Sequence, residues 1–332
     1  MGYFGLTTLL AFIGIGLGFG IGGWTGVYLV GILAILEVSL SFDNAVVNAK
    51  MLKNMEVIWQ KRFLTWGILV AVFGMRFLFP ILIVGLVANW GIWETVKIAI
   101  VQPELYHQKL LQSEQLIYAF GGAFLLMVFT DFILGEKEVR WIKPIEKYAE
   151  KLGMVHNSSL ILAMMVGLTV TYSSQSHQIA IAYFLGILSY SILHGINHYF
   201  SQFSAKNGLI GLIYLEVLDA SFSFDGVIGA FAISSNIFII MLGLGIGALY
   251  VRSLTLWMVE KGVLNQFPYL EHGAHYAIGI LSTIMLLKIF FPVSEELTAT
   301  LGVVMLSLSF VHSYWEQQKK KNLPPFQREE RE

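Results

Sequence analysis

Apolar residues recur along this chain in long runs that short polar segments separate. Runs of about twenty residues match the length that an α-helix needs to cross the hydrocarbon core of a bilayer. The pattern therefore predicts an all-α, polytopic helical membrane protein with about ten transmembrane helices. The predicted spans are 3–21, 24–49, 63–88, 116–135, 158–174, 178–197, 208–234, 236–259, 274–292 and 297–315.

Composition agrees with a membrane protein. Of the 332 residues, 56% are hydrophobic and 13% are charged, whereas soluble domains carry about 25% charged residues. The chain has no cysteine, which excludes disulfides, thiolate metal sites and cysteine nucleophiles. No basic signal-peptide region precedes the first apolar run, so residues 1–22 are expected to be a retained first helix.

The basic residues predict the orientation of the chain. If the N-terminus is cytoplasmic, sixteen of the 21 lysines and arginines fall on the cytoplasmic side, and only Lys97 and Lys109 fall outside. Positive charge concentrates on the cytoplasmic side of membrane proteins. We therefore expect an inner (plasma) membrane protein with both termini in the cytoplasm.

Segments between the spans complete the expected organisation. Residues 136–152 carry an apolar stripe among charges and suit a helix on the cytoplasmic surface, while Trp90 and Trp93 suit the external interface of segment 89–115. Ordinary loop helices are the alternative for both. The expected units are a first repeat (1–135), a cytoplasmic interfacial linker (136–157), a second repeat (158–315) and a disordered cytoplasmic tail (316–332).

A short acidic motif occurs twice, each time inside an apolar run. In the first copy Asp43 follows Glu37 by six residues, and in the second Asp225 follows Asp219 by six; serines stand at the second and fourth positions after the first acid in both. Carboxylates at membrane depth are costly unless they are paired or hydrated, so they indicate a functional site.

The similarity continues beyond the motif. An arginine follows in the next span of each half, Arg76 and Arg252. The span after that carries a matching glycine, and Asp131 then aligns with Lys288. Spans 2–4 and 7–9 are an odd number of spans apart, so the two copies have opposite orientations. This is the inverted internal repeat of secondary transporters, whose sites form near the midplane between repeats.

The spacing of Glu37 and Asp43 predicts a distorted helix. Six residues place two side chains about 120° apart on a straight helix. Serines between them can bond to the backbone and admit a close neighbour. We expect a kinked or partly unwound segment here and in the second copy; a continuous helix with packed serines is the alternative.

The charges inside the spans point to a cation. Six acids stand against three bases, and an unbalanced negative charge cannot stay bare at low dielectric. Carboxylate, amide and hydroxyl oxygens are hard ligands that favour Mn²⁺, Mg²⁺ or Ca²⁺. The candidate ligands, with Asp43 and Asp225 as the central pair, are Glu37, Asp43, Asn44, Asp219, Asp225 and Glu216.

Other polar residues are expected to support the site. Arg76 and Arg252 are predicted to act as counter-charges, with plain buried ion pairs as the alternative. Asp131 and Lys288 are expected either to form a direct salt bridge or to take part in transport. His194 and His198 have the spacing of a metal pair, but their interfacial position favours an ordinary histidine pair.

The motifs resemble those of the TerC family. The similarity covers most of residues 25–292 and includes Glu37, Asp43–Asn44, residues 219–256 and Phe267–Gly273. It implies a LysE-type transporter superfamily protein, associated with tellurite resistance and, in several branches, with manganese efflux. In that family acids of the two motif spans are thought to bind the ion. Gly226 stands where the family usually has serine, which removes one oxygen, and the long external segment 89–115 with the extra first and fifth spans suggests a divergent subgroup.

Three functions follow from these observations. The leading one is efflux of a divalent cation such as Mn²⁺, carried as substrate with no tightly bound cofactor. The alternatives are export of an amino acid or other small organic solute, and a membrane scaffold in a tellurite or metal stress response. No nucleophile–base pair or nucleotide loop indicates an enzyme. The expected partners are the bilayer and the ion; homo-oligomers or protein partners stay open, and no nucleic acid is expected.

Overall fold

The described part of the chain is mostly helical. The computed structural model describes residues 3–53, 55–202, 208, 209, 211–213, 215, 216, 219, 226, 227, 230, 233, 234 and 236–322. No strand occurs in these ranges, and the predicted all-α class is confirmed.

The described helices overlap nine of the ten predicted spans, and the remaining span, 208–234, lies largely outside the described residues. The first half of the chain contains Tyr3–Leu40 (α1), Phe42–Lys53 (α2), Val57–Leu69 (α3), a π-helix at Val70–Leu78, Phe79–Ala88 (α4), Ile92–Val101 (α5) and Pro103–Leu134 (α6). The second half contains Lys143–Gly153 (α7), Ser158–Ser174 (α8), His177–Gln202 (α9), Ile237–Lys261 (α10), Val263–Gln266 (α11), Leu270–Lys288 (α12) and Glu295–Asn322 (α13).

Several of these helices fit a bilayer by length and composition. Among the described residues, the stretches Phe4–Val38, Pro103–Leu134 and Ile237–Lys261 are long and apolar enough to cross a membrane. Helices α7 and α8 together form a further candidate, bent by 95°. The protein is therefore a polytopic membrane protein, and the total of ten spans stays a prediction.

Helix α1 is a hairpin of two arms that correspond to the first two predicted spans. Gly22 and Gly23 leave the helical conformation, and Gly23 takes a φ of 58°, which only glycine adopts readily. Gly18 and Gly26 then face each other across the turn so closely that a Cβ on Gly26 would overlap the Gly18 carbonyl. Both arms pack against α10.

The helix is interrupted at Ser41, between the two acids of the first motif. Helix α1 ends at Leu40 and α2 begins at Phe42. The Ser41 N–H still bonds to the Glu37 carbonyl at 2.9 Å, and the Ser41 carbonyl accepts from the Ala45 N–H at 3.1 Å. The distortion expected from the spacing of the acids is present in the first copy. In the second copy, residues 220–225 lie outside the described ranges.

The following span contains an unusual helical segment. Helices α3 and α4 are joined through the π-helix Val70–Leu78, which carries Arg76 near its end. π-Helical turns are rare and frequently mark functional sites. The corresponding helix of the second half, α10, has no such segment between Ile237 and Lys261.

Helices α6 and α12 pack antiparallel through equivalent positions. A Cβ on Gly122 would lie 2.8 Å from Leu286, and a Cβ on Gly279 would lie 2.7 Å from Phe129. Leu286 stands seven residues after Gly279, and Phe129 stands seven residues after Gly122. The two contacts are therefore equivalent. In each of them, a glycine of one helix contacts the residue seven positions after the matching glycine of the other helix.

A second pair of contacts obeys the same relation. The Gln115 amide donates to the Ile289 carbonyl at 3.1 Å, and at the equivalent positions the His272 and Phe132 rings lie 5.2 Å apart. These two helices are thus related by an approximate two-fold axis, the geometry that an inverted repeat requires.

Helix α7 lies across the end of α8 and exposes Ile145, Tyr148 and Leu152. It is held through Glu146, which accepts the Trp141 backbone N–H at 3.0 Å and the Tyr276 hydroxyl at 3.3 Å. Burial would raise the pKa of Glu146, but the hydrogen bond and charge of His272, with nearby backbone N–H groups, hold that pKa below its usual value.

Two predicted boundaries were wrong. Helix α6 begins at Pro103, well before the predicted start at 116, because proline suits the first helical position and helix-forming residues follow it. Helix α13 continues to Asn322, so residues 316–322 of the predicted disordered tail are helical. The run of Glu, Gln and Lys there favours helix. Residues 323–332 lie outside the described part.

Gly26→Ala should open the α1 hairpin, because its new Cβ has no room beside the Gly18 carbonyl. Overpacking of this kind costs about 1–3 kcal/mol. We expect a lower thermal unfolding temperature in detergent. Gly31→Ala, in the same arm with no atom within 4 Å of the added Cβ, is the control and should match or exceed wild type. Equal unfolding temperatures for the two variants would contradict the hairpin packing.

Acid should release α7. The pKa of Glu146 is depressed in the folded protein, so its carboxylate stabilises the docked helix above the usual glutamate pKa, 4.5, and this contribution is lost as the pH falls through the lower, folded value. Hydrogen exchange of residues 143–153 should therefore accelerate below that pH in wild type. In Glu146→Gln it should already be fast at neutral pH; slow exchange in that variant would refute the role of the carboxylate.

Candidate functional site

A buried network of carboxylates and guanidinium groups lies where the broken helix α1–α2 meets the π-helix and α10. Arg76 of the π-helix pairs with Glu37 of α1. Its Nη1 also lies 3.8 Å from Asp219 Oδ2. All three side chains are buried. Arg76 therefore joins the acids that open the first and the second motif.

Arg252 of α10 forms the second centre of the network. Its Nη1 and Nη2 donate to the two carboxylate oxygens of Glu216 at 3.0 and 2.7 Å. Nη2 also donates to Asp219 Oδ2 at 3.4 Å. The Phe63 carbonyl accepts from Nη1 at 3.1 Å, and the guanidinium lies 4.3 Å from the centre of the Phe63 ring. Bidentate pairing of this type is among the strongest charged contacts in proteins.

Asp219 is the shared member of the network. Both arginines approach its Oδ2, and the Asn44 amide donates to its Oδ1 at 2.5 Å. Asn44 comes from α2, on the far side of the Ser41 break. Asp219 thus connects elements of both halves of the chain.

Two glycines make room for the ion pairs. A Cβ on Gly67 would overlap Arg252 and lie 2.7 Å from the Glu216 carboxylate. A Cβ on Gly247 would lie 2.5 Å from Glu37 Cβ. Helix backbone therefore packs directly against the charged side chains. This close packing keeps the network compact and leaves no room for larger side chains at the two glycines.

Some oxygen atoms of the network have no donor. Glu37 Oε2 and Asn44 Oδ1 are buried and accept no hydrogen bond in the described part of the protein. The other Glu37 oxygen accepts from Arg76 and from the Ser41 hydroxyl, the latter at 2.9 Å. A Cβ on Gly226 would lie 3.3 Å from Glu37 Oε2. The backbone of Gly226 therefore lies directly beside this acceptor.

Asp43 begins α2 and is buried without a guanidinium contact among the described residues. Its Oδ1 accepts the backbone N–H of Asn44 at 2.9 Å. The N-terminus of a helix carries partial positive charge, which stabilises a carboxylate there. That position explains how Asp43 is tolerated, but it leaves its charge without a full counter-charge.

Other sequence predictions meet different outcomes. Asp225 lies outside the described residues. Asp131 and Lys288 do not form the salt bridge that was one of the two expectations. Asp131 accepts the Tyr190 hydroxyl at 2.5 Å and lies 3.7 Å from His194 Nδ1. Lys288 lies 5.2 Å from the Tyr118 ring, about 20 Å from Asp131 along α6.

One member of the histidine pair of α9 lies within the described side chains. His194 lies beside Asp131 and Tyr190 with an exposed side chain. The side chain of His198 lies outside the described part of the structure.

The arginines lie between the acids of the site and pair with them. Within the described ranges, no three histidine or acidic side chains converge closely enough to hold a metal ion. Guanidinium groups occupy the places between the acids instead. Among the described residues, four carboxylates (Glu37, Asp43, Glu216 and Asp219) and two arginines are buried in this region, so the acids outnumber the arginines.

Sequence reasoning missed two contributors. Phe63 binds Arg252 through its carbonyl and ring, and nothing in an apolar run distinguishes it. Asn48 is buried, and its Oδ1 has no donor in the described part of the chain. The available signal for Asn48 was a second amide four residues after Asn44, on the same face of α2.

Comparison with known proteins assigns the chain to a family. The profile of DUF475, described as a protein of unknown function, matches residues 42–320. The chain belongs to the DUF475 family. The match includes α2, both arginines and Asp219, while Glu37 and α1 precede it.

A curated relative is also a membrane protein. The chain is similar to the "Uncharacterized membrane protein YceF" of Bacillus subtilis (strain 168), with 26% identity over 254 residues, which are 76% of this chain and 68% of the relative. No solved structure matches this DUF475 protein. The comparisons agree with the helical membrane fold and leave the substrate unassigned.

Arg252→Met should destabilise the protein strongly, because Glu216 and Asp219 would keep buried charges without a partner. Breaking a buried pair in this way costs about 3–5 kcal/mol. The double variant Arg252→Met/Glu216→Gln should recover much of the loss. Thermal unfolding in detergent measures both.

The surface pair of Arg140 and Glu150 supplies the control, since it has the same bidentate chemistry on an exposed arginine. Arg140→Met should cost less than about 1 kcal/mol. Equal losses for Arg140→Met and Arg252→Met would show that burial of the network does not matter.

Proposed function

We propose that this protein is a transporter that moves a hard divalent cation, with Mn²⁺ the best candidate, across the membrane by alternating access. One observation carries the proposal: three buried carboxylates share two guanidinium groups, and buried Asp43 has no guanidinium contact among the described residues, beside acceptor oxygens that have no donor there. Within this network the described acids outnumber the described arginines. Such a charge excess at low dielectric calls for a cation.

The donor set supports the class of ion. Glu37, Asp43 and Asn44 offer only carboxylate and amide oxygens, and the chain has no cysteine. Oxygen sites favour Mg²⁺, Ca²⁺ and Mn²⁺ over copper and zinc. The preference for Mn²⁺ within this set rests on the resemblance to the TerC family, in which several branches export manganese.

Within this proposal the arginines stabilise the site when no ion is bound. Arg76 and Arg252 neutralise the acids when no ion is present, which avoids the cost of bare charges. An entering cation takes over the carboxylates, and the guanidinium groups then turn toward other acceptors, such as the Phe63 carbonyl that Arg252 already contacts. The arginines thereby lower the energy of the unloaded protein, which a transporter must pass through in every cycle.

The fold offers the movable parts that alternating access needs. The Ser41 break and the π-helix Val70–Leu78 flank the network and interrupt two of its helices. Transporter sites typically lie at such interrupted helices between inverted repeats. The proposal is of a transporter rather than an enzyme, with the ion as cargo and no resident cofactor, in a plasma membrane with cytoplasmic termini.

Flux through proteoliposomes tests the proposal. Purified protein is reconstituted around a Mn²⁺-sensitive dye, and external Mn²⁺ is added with and without a pH gradient. Wild type should transport Mn²⁺, and Asp43→Asn should lower the rate at least about tenfold, since loss of one charged ligand costs more than about 1.4 kcal/mol. Glu94→Gln, on the exposed face of α5, should transport like wild type.

The alternatives predict different results. Absence of flux for Mn²⁺, Mg²⁺ and Ca²⁺ under both conditions, from protein that remains monodisperse, would overturn the cation proposal. Counterflow of a zwitterionic amino acid in the same vesicles would then support solute export, and its absence would support a scaffold role.

A further inference from the structure

Asn48 has no structural reason to be an asparagine. It lies in the middle of α2, is only 2% exposed, and its Oδ1 accepts no hydrogen bond in the described part of the protein. An unsatisfied buried polar atom costs about 1–3 kcal/mol. Leucine has a similar size and would avoid that cost. Buried groups of this kind are rare in native proteins and call for an explanation.

The neighbouring side chains indicate what kind of group the Asn48 oxygen binds. Asn48 lies one helical turn beyond Asn44 on the same face of α2. Asn44 uses its amide nitrogen to bind Asp219, so its own Oδ1 is also left without a donor. Along residues 37–48, the unsatisfied atoms are the oxygens of Glu37, Asn44 and Asn48, and all three are acceptors. Acceptors without donors are the groups that a cation satisfies.

The position of Asn48 along α2 suits a passage. Helix α2 starts at the buried network and ends at Lys50 and Lys53, which are exposed. Lys50 pairs with Glu271 and Lys53 bonds to Asn265, so neither lysine side chain is directed to the network. Asn48 therefore stands between the surface and the acids, on the side that the basic residues predict to be cytoplasmic.

We infer that the amide oxygens of Asn44 and Asn48 form a second, uncharged position for the transported divalent cation, which borders the carboxylate network at Asn44 and extends about 6 Å along α2 to Asn48. The inference rests on the proposed transport function and adds a site to it. Neutral amide oxygens bind a hard cation more weakly than carboxylates do. An ion at this position is released readily, either inward to the acids or outward to water, as a transit site requires.

The test uses Asn48→Leu in the full-length protein. Removing the unsatisfied oxygen should raise the thermal unfolding temperature in metal-free detergent solution. The same variant should weaken Mn²⁺ binding about tenfold, measured by calorimetry and by the rise in unfolding temperature that MnCl₂ produces. Mn²⁺ flux in proteoliposomes should fall with it. A merely structural asparagine would not show gain of stability together with loss of metal response.

Asn48→Asp is the matched variant, because it keeps an oxygen in the same place. It should bind Mn²⁺ at least as tightly as wild type. If Asn48→Leu fails to fold, Asn48→Ala is measured in the same way and should show the same weakened response.

The outcomes separate the two proposals. If wild type responds to Mn²⁺ and Asn48→Leu responds equally, the second position is overturned, and water is then the group that satisfies the Asn48 oxygen. If wild type shows no response to Mn²⁺, Mg²⁺ or Ca²⁺, the transport proposal is overturned and the second position with it. A weakened response in Asn48→Leu alone supports the site.

Discussion

The structure depends on the neutralisation of charge inside a region of low dielectric. Arg76 and Arg252 are buried because Glu37, Glu216 and Asp219 are buried with them. Each arginine also contacts the opposite half of the chain, Arg76 through Asp219 and Arg252 through the Phe63 carbonyl. Removing one member leaves an unpaired charge whose cost exceeds that of most core substitutions. The network therefore fixes how the two halves meet.

The backbone is shaped around this network. Charged side chains need short distances to be stable, and the protein provides them by using glycine where helices face the ion pairs, as at Gly67 and Gly247. Asp43 and Asn44 lie in the first turn of α2, directly after the interruption at Ser41, and the Asn44 N–H donates to the Asp43 carboxylate. The π-helix widens the turn that carries Arg76. Departures from regular helix cluster where charge is buried, as expected for a functional site.

Much of the fold could be predicted because local signals were strong. The pair Gly22–Gly23 ended the first span, and the spacing of Glu37 and Asp43 predicted the break between them. The contacts of Asp131 and Lys288 could not be predicted, because residues that align in an inverted repeat meet only near its two-fold axis. Away from the axis they separate in opposite directions. Phe63 and Asn48 were not predicted as site residues because their contributions depend on which residues surround them in the folded protein. Arg76 and Arg252 were predicted to neutralise buried acids, but which acids each arginine contacts needed the structure.

The reciprocal contacts of α6 and α12 carry a consequence for the origin of the fold. An interface in which each surface meets its own counterpart is isologous, the type that two copies of one chain form. Gly122 with Leu286 and Gly279 with Phe129 have this relation within a single chain. Two half-length copies inserted into the membrane in opposite directions would assemble through such a surface. The halves are not identical, because one contains the π-helix while α10 of the other is regular.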